Sequence, residues 1–254
     1  MKLSNLWRKK KVSPYGFFSG YSTWDEALKD STSYTADSVL QGTLSRRELF
    51  LAEFDPKDHV VDARTQQLLS ALAFIFTKKS ANTLKVLDFG GGSALYFYLL
   101  RRALPHVEID WTVIETEEMA QAHQPFEESH IRWQTSLPVG SASGNKPFDL
   151  CLASSSILYI PQPYDILKKL LNLGRFVIVT RTGFIDEAED KIAVQRVPPE
   201  IFTGSYPAWF FSREKFLAFA QKSGQLQLGW TVPQDVFDFE GKKIIFQGYL
   251  FESF

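Results

Sequence analysis

Residues 84–95, Leu-Lys-Val-Leu-Asp-Phe-Gly-Gly-Gly-Ser-Ala-Leu, constrain the fold more than any other stretch of the chain. Aliphatic residues predict a short buried strand that ends at Asp88, and a helical run follows over 94–104. Three consecutive glycines join them, so the turn is tight and its backbone can approach a ligand closely. A strand, a glycine turn and a helix in this order are typical of the nucleotide site of a parallel α/β sheet.

Asp88 and the spacing of the glycines distinguish between two classes of cofactor that such a turn could bind. A dinucleotide site requires a third glycine within the helix, where this chain has Leu95. The segment Asp88-x-Gly90-x-Gly92 instead resembles motif I of class I S-adenosylmethionine (SAM) methyltransferases. The resemblance implies SAM as the cofactor, held at Asp88 and at the turn of Gly90, Gly91 and Gly92. A carboxylate suits the sulfonium and amino charges of that ligand. The alternative is a glycine turn that only connects a strand to a helix.

A second acid stands at the end of the next predicted strand, over residues 108–114. Glu115 follows Gly92 at nearly the spacing at which an acid meets a ribose hydroxyl. We therefore predict that Glu115, with Thr116 beside it, binds the ribose. The alternative is an acid that faces the dipole of a following helix, since two more acids come after Thr116.

Two later strand ends complete the predicted cofactor site. In the methyltransferase superfamily the end of the third strand approaches the adenine, and here Gln134 and Thr135 occupy that position. In the superfamily this position often holds an acid. The preceding residue, Trp133, either stacks on the adenine or packs in the core. Ligands of doubly wound sheets lie at the carboxyl ends of strands. The end of the strand over 148–153 therefore places three residues beside the sulfonium and the acceptor: Ala153, Ser154 and Ser155. Turn and helix-cap roles are the alternative for the serines.

The order of the elements predicts an α/β fold, a Rossmann-like seven-stranded methyltransferase sheet with helices on both faces. Strands over 226–232 and 243–251 match the closing antiparallel hairpin of that sheet. Residues 183–206 contain prolines and glycines and predict a loop. The resemblance to the methyltransferase superfamily implies that this insertion shapes the acceptor pocket. We divide the chain into 1–80, a basic tail with a helical cap, and 81–254, the SAM-binding domain.

An aromatic segment, residues 15–28, precedes three predicted helices of the cap. It reads Tyr-Gly-Phe-Phe-Ser-Gly-Tyr-Ser-Thr-Trp-Asp-Glu-Ala-Leu, and Gly16 and Gly20 predict that no regular element forms across them. With Leu-Asp-Phe-Gly-Gly-Gly at 87–92, this opening resembles a family of proteins classed as methyltransferases from their fold and associated with surface-polysaccharide biosynthesis genes. The resemblance runs from residue 15 to the end. It implies O-methylation of a sugar or glycan precursor.

We predict that residues 15–28 cover the carboxyl edge of the sheet and form part of the acceptor pocket, because aromatic faces with polar partners hold sugars well. The predicted acceptor residues are Tyr21, Trp24, Asp25, Tyr159 and Arg181. A hydrophobic anchor or a dimer contact is the alternative for the segment. No catalytic base is assigned; His59 either reaches the site from the cap or lies in an exposed loop.

The composition of the chain limits the classes of function that remain. A formal net charge of -1 gives no general argument for nucleic acid. Cys151 is the single cysteine, so no internal disulfide or zinc cluster forms, and no metal is expected. The alternatives to methyl transfer are an assembly protein with the same fold and, less favoured, an NAD-dependent oxidoreductase.

The expected location is cytoplasmic. No stretch is long and apolar enough to span a membrane, and no signal-peptide core follows the basic cluster at 8–11. That cluster predicts a solvated tail, or a weak contact with an anionic membrane surface. The sequence leaves the oligomeric state open.

Overall fold

The computed structural model describes residues 13–32, 37–55, 57–58, 60–79, 82–139 and 145–254. The described strands are β1 Gly16–Tyr21, β2 Thr83–Phe89, β3 Glu108–Ile114, β4 Ile131–Gln134, β5 Phe148–Ser154, β6 Gly174–Thr182, β7 Phe184–Ile185, β8 Lys191–Val197, β9 Gly204–Ser212, β10 Gly224–Phe239 and β11 Lys242–Ser253. The α-helices are α1 Trp24–Lys29, α2 Asp37–Glu53, α3 Ala63–Thr77, α4 Leu95–Ala103, α5 Glu117–His123, α6 Pro163–Leu173 and α7 Arg213–Ala220.

Seven strands form the large sheet, in the order β10-β11-β6-β5-β2-β3-β4. Strands β2 to β6 run parallel, β11 is antiparallel to β6, and β10 pairs antiparallel with β11. The chain leaves β2 towards β3 and β4 and then crosses to β5 on the other side. The sheet therefore has its topological switch between β2 and β5, as the predicted Rossmann-like fold requires.

Helices cover both faces of this sheet, and alternation along the strands decides which side chain meets which helix. In β2, Leu84 and Val86 join an apolar cluster with residues of α3 and α4. Leu87 joins the opposite cluster, with residues of α6 and α7. The predicted fold class is confirmed.

A second, four-stranded sheet has the order β1-β8-β9-β7. It corrects two predictions, because residues 183–206 were expected to be a loop and residues 15–28 to contain no regular element across their glycines. Gly20 has a φ of 111° beside an irregularity in the pairing of β1 with β8, so the strand continues through it. Pro207 pairs with Val194 of β8, and β7 pairs with β9 only further along, so no second strand needs the missing N–H.

The N-terminal helices largely follow their capping signals. Thr23 and Glu26 form a reciprocal capping box at the start of α1, and Asp62 caps α3. Of the three helices predicted after residue 28, the first two, expected near residues 31–40 and over 44–54, form the single continuous helix α2. The basic cluster at 8–11 and His59 lie outside the described residues. Among the residues that the structure describes, no helix combines the length and the apolar character needed to cross a membrane.

Strand β1 attaches the N-terminal segment to the C-terminal half of the chain. Phe17 is buried and its ring packs edge-on against Phe210 of β9 and Phe237 of β10, each with centroids 5.0 Å apart. The N-terminal segment therefore contributes a strand and a core side chain to elements formed by later residues.

The position of Phe17 predicts a large loss of stability in Phe17→Ala. Truncating a buried phenylalanine costs about 3–5 kcal/mol in the free energy of unfolding, because a cavity remains. The matched control is Phe18→Ala, which removes a half-buried ring that contacts the Arg196 guanidinium. Urea titration followed by tryptophan fluorescence should show a much lower midpoint for Phe17→Ala than for Phe18→Ala. Equal midpoints would mean that β1 is not an integral part of the fold.

Candidate functional site

A cavity of about 710 Å³ opens at the carboxyl ends of β2, β5 and β6. One wall is the predicted cofactor turn, with Asp88 and the three glycines. Other walls come from α2, from the second sheet and from the hairpin of β10 and β11. Ligand clefts commonly have volumes of roughly 300–1,000 Å³, so the cavity has room for a nucleoside cofactor or a small acceptor.

Glycine is required in the turn for two different reasons. Gly90 has a φ of 67°, which side chains disfavour, and a Cβ there would collide with Ser156. A Cβ at Gly91 would collide with the carboxylate of Asp88. The turn is thus packed directly on the acid that precedes it, and its backbone faces the cavity.

Asp88 is buried, with only 2% of its surface exposed, and the indole N–H of Trp111 donates to its Oδ2 at 3.2 Å. Burial raises the pKa of the Asp88 carboxyl to about 7; the Trp111 bond opposes the rise, and the charge of nearby Glu115 adds to it. No cation of the chain forms an ion pair with Asp88 among the described residues.

Glu115 connects the end of β3 to the glycine turn. Its Oε1 accepts from the Gly92 N–H at 2.9 Å, and its Oε2 accepts from the Thr116 N–H at 3.1 Å. Burial raises the pKa of Glu115, although both backbone bonds act in the opposite direction. Thr116 caps α5 by accepting from the Met119 N–H at 3.3 Å. The two acids that the sequence singled out therefore meet at one turn.

The strand end of β5 is also at the cavity. Ser154 and Ser155 line it, and Ser155 has a φ of 54°. The buried Ser154 Oγ makes no hydrogen bond of ordinary geometry among the described residues, although the nearby Tyr96 phenol interacts with it. Ala153, by contrast, lies in the apolar core.

The predicted adenine side is more open. Gln134 and Thr135 are exposed at the end of β4 and do not line the cavity. Trp133 is a core residue: its indole N–H donates to the Gly92 carbonyl at 2.7 Å, and its ring stacks on His123 at 5.2 Å. Trp133 thus packs as a core residue, which is one of the two roles expected for it.

Two predicted acceptor residues line the cavity. The Tyr159 hydroxyl donates to the Gln195 side chain at 2.7 Å, and burial raises its pKa to about 12, so it stays protonated. Arg181 lies at a bulge in β6 with a φ of 55°, and its Nε donates to Asp235 of β10 at 2.7 Å. Arg64 of α3 pairs with the same carboxylate. The bulge turns the Arg181 side chain towards the site.

The other three predicted acceptor residues are not brought to the cavity. The Tyr21 hydroxyl donates to Asp30, Trp24 stacks on Trp209 at 5.6 Å, and Asp25 is exposed in the first turn of α1. The corresponding walls are formed by residues that the sequence did not single out: Thr43, Arg46, Gln195, Phe202, Tyr206, Asp235 and Phe237. They lie far apart in the chain, and only the helical spacing of Thr43 and Arg46 carries any signal.

No histidine stands among the described residues that line the cavity. His123 is buried, with Nδ1 bonded to the Met119 carbonyl and Nε2 bonded to Ser93 Oγ, each at 2.8 Å. Asp235 is held in ion pairs by the guanidiniums of Arg64 and Arg181. Among the described residues, the acids that line the cavity are Asp62, which caps α3, Asp88, whose pKa is raised to about 7, and the ion-paired Asp235.

The strand order, with a glycine turn after the central strand and the cavity at the topological switch, is the fold of class I SAM-dependent methyltransferases. No family model matches the chain, and no curated protein does. The narrower resemblance, and its association with polysaccharide genes, stays a prediction.

Three solved structures illustrate the likeness. The 1,6-didemethyltoxoflavin-N1-methyltransferase of Burkholderia thailandensis is 14% identical, with a TM-score of 0.51, and the match covers 96% of this chain and 97% of that one. The [4+2]-cyclase SpnF is 12% identical, with a TM-score of 0.53 and coverages of 85% and 94%. A SAM-dependent methyltransferase from Clostridium acetobutylicum is 11% identical, with a TM-score of 0.50 and coverages of 84% and 98%. Identities this low show a shared fold.

The raised pKa of Asp88 predicts that Asp88→Asn stabilises the folded protein in a pH-dependent way. Below about pH 4 the carboxyl is protonated in both states, so its ionisation costs nothing. Between pH 4 and 7 the unfolded chain releases a proton that the folded chain keeps, and above pH 7 the full cost is present. The gain in unfolding free energy from Asp88→Asn should therefore be larger at pH 8 than at pH 4.

Asp110→Asn is the matched control, because Asp110 lies on neighbouring β3 in a half-exposed ion pair with Arg132. Urea titrations at both pH values measure the difference between variant and parent. A pH-independent effect of Asp88→Asn would contradict the raised pKa.

Proposed function

We propose that the protein is a SAM-dependent methyltransferase that acts on a small molecule. The observation that carries the proposal is the position of Asp88 and the glycine turn in the wall of one cavity at the switch point of the sheet, with Glu115 bonded to the Gly92 N–H of that turn. Two buried carboxyl groups that form no ion pair among the described residues suit a ligand that brings both positive charge and hydroxyl groups.

The chain has groups for each part of the cofactor. Asp88 would bind the amino group, and the backbone of the glycine turn would lie against the methionine portion. The remaining oxygen lone pairs of Glu115 would accept from the ribose hydroxyls. Ser154 would face the sulfonium side, and Gln134 and Thr135 would border the adenine.

Bound SAM supplies a methyl group activated by its sulfonium. The residues of this chain would then act by orientation, because an in-line transfer gains much of its rate from holding the acceptor at the methyl carbon. Tyr159 is protonated and donates to Gln195, so it does not serve as a base, and the Asp235 carboxylate is engaged by Arg64 and Arg181. This favours an acceptor that loses its proton to solvent through the open side of the cavity, or one that has none to lose.

A sugar or a glycan precursor remains the proposed acceptor class. The aromatic rings of Tyr159, Phe202 and Tyr206 border the cavity and give flat apolar faces beside polar groups. Such a combination is suited to pyranose rings and equally to other flat rings. The cytoplasm is the proposed location, consistent with the intracellular supply of SAM.

Titration calorimetry with S-adenosylhomocysteine tests the proposal, and we expect one site per chain. Glu115→Gln should weaken binding roughly tenfold to a hundredfold, since hydrogen bonds to a charged group contribute about 1.5–3 kcal/mol. Glu117→Gln is the control, because Glu117 is exposed and bonds only to Gln121 among the described residues. No heat and no thermal shift at millimolar ligand would remove the proposal. A preference for NADH in the same assay would favour the oxidoreductase alternative.

A second measurement addresses methyl transfer itself. Protein that binds the cofactor is incubated with methyl-labelled SAM and a deproteinised small-molecule extract, and labelled products are separated by chromatography. A new labelled product that disappears in Asp88→Asn supports the reaction. Binding without any labelled product would favour the assembly protein with the same fold.

A further inference from the structure

One face of α2 borders the cavity beyond the cofactor turn. Val39, Thr43 and Arg46 line the cavity at helical spacing. Thr43 lies over the turn, since a Cβ added at Gly92 would be 3.6 Å from its Cγ2. Arg46 comes three residues later, about 4.5 Å further along the helix axis at 1.5 Å per residue. The guanidinium of Arg46 therefore belongs to the part of the cavity next to the cofactor turn.

Arg46 differs from the other cations of the cavity in its partners. Arg64 and Arg181 both pair with Asp235. Arg46 has no carboxylate within 4 Å among the described residues, and the positions outside them contain no Asp or Glu. Its guanidinium contacts the ring of Phe202, whose centroid lies 5.7 Å from the guanidinium carbon. An arginine that lines a cavity without a carboxylate has its fork of N–H donors available to a ligand.

The surroundings of Arg46 combine positive charge with aromatic rings. The Phe202 ring lies 6.4 Å from the Tyr206 ring, which packs edge-on against Tyr159 at 4.9 Å. Partial burial lowers the pKa of Arg46; the Tyr206 phenol opposes this, and the like charge of Arg181 adds to it. A guanidinium remains charged under these conditions. An anion close to Arg46 would relieve the repulsion between the two guanidiniums.

We propose that Arg46 binds an anionic group of the acceptor, a carboxylate or a phosphate, while a flat ring of the acceptor lies against Phe202 and Tyr206. This inference rests on the proposed function for the identity of the ligand as a methyl acceptor. It narrows the acceptor class from neutral sugars to charged ones, such as uronates and sugar phosphates, or to aromatic acids. Arginine suits either anion because its planar fork donates two parallel hydrogen bonds.

Three probes that share a phenyl ring test the proposal: phenyl glucuronide, phenyl phosphate and the neutral phenyl glucoside. Each is titrated into the parent protein with and without saturating S-adenosylhomocysteine, and binding is measured by calorimetry and ligand-observed NMR. At least one anionic probe should bind tenfold or more tightly than phenyl glucoside. Glucuronide and phosphate then distinguish a carboxylate from a phosphate as the preferred anion.

Variants assign the effect to Arg46. Arg46→Gln should lower the affinity for the anionic probe roughly tenfold to a hundredfold and leave that for phenyl glucoside unchanged. Arg46→Lys keeps the charge and should retain part of the affinity. Arg175→Gln is the control, because Arg175 is exposed at the amino end of β6, where no cavity residue lies. Its affinities should equal those of the parent.

Three results would overturn the proposal: equal affinity for neutral and anionic probes, an anion preference that survives Arg46→Gln, or no binding of either anion at tens of millimolar. Titration of S-adenosylhomocysteine into Arg46→Gln separates this failure from that of the proposed function. Unchanged cofactor binding shows that the variant is folded and that the cofactor site is intact. If the parent protein does not bind the cofactor, the titrations without it still decide whether Arg46 binds anions.

Discussion

Burial of the Asp88 carboxylate beside a tight turn costs free energy, and the space that this side chain occupies constrains the residues around it. Position 91 requires glycine because the Asp88 carboxylate occupies the space that a side chain would need. The indole N–H of Trp111 on β3 donates to the Asp88 carboxylate. On the far side of the turn, the Glu115 carboxylate accepts from the backbone N–H of Gly92. The protein therefore keeps in its fold an unfavourable charge that a cationic ligand would neutralise. Such local cost is typical of sites shaped for binding rather than for stability.

The walls of the cavity combine regular strands with irregular backbone. The parallel strands present Asp88 and Ser154 from rigid positions, as expected where geometry must be kept. Three non-glycine residues with left-handed backbone stand around the same site: Ala94, Ser155 and Arg181. Backbone strain of this kind persists where the surrounding structure enforces it, and its concentration at one edge supports a binding role for that edge.

Much of the cofactor half could be predicted because its signals are local. Strand, acid, glycine turn and helix follow one another, and β3 was predicted with its observed bounds. The second sheet could not be predicted, because its strands pair across most of the chain and contain the glycines and prolines that usually mark loops. Helix α2 carries little apolar pattern, since only Val39 and Arg47 are buried on it. A helix that borders a cavity lacks the apolar stripe of a core-facing helix, so its sequence pattern does not indicate where it packs.

Strand β1 near one end of the chain pairs with β8, and the cavity takes residues from α2 as well as from the β10–β11 hairpin near the other end. Closing such long loops is entropically costly and slow compared with forming neighbouring contacts. The β2–β5 portion of the sheet joins strands that are closer in sequence and can assemble before these long-range pairings form. A folding intermediate of that kind would hold the glycine turn without the walls that enclose the cavity, and the cavity would be completed only when the second sheet and the β10–β11 hairpin take their places.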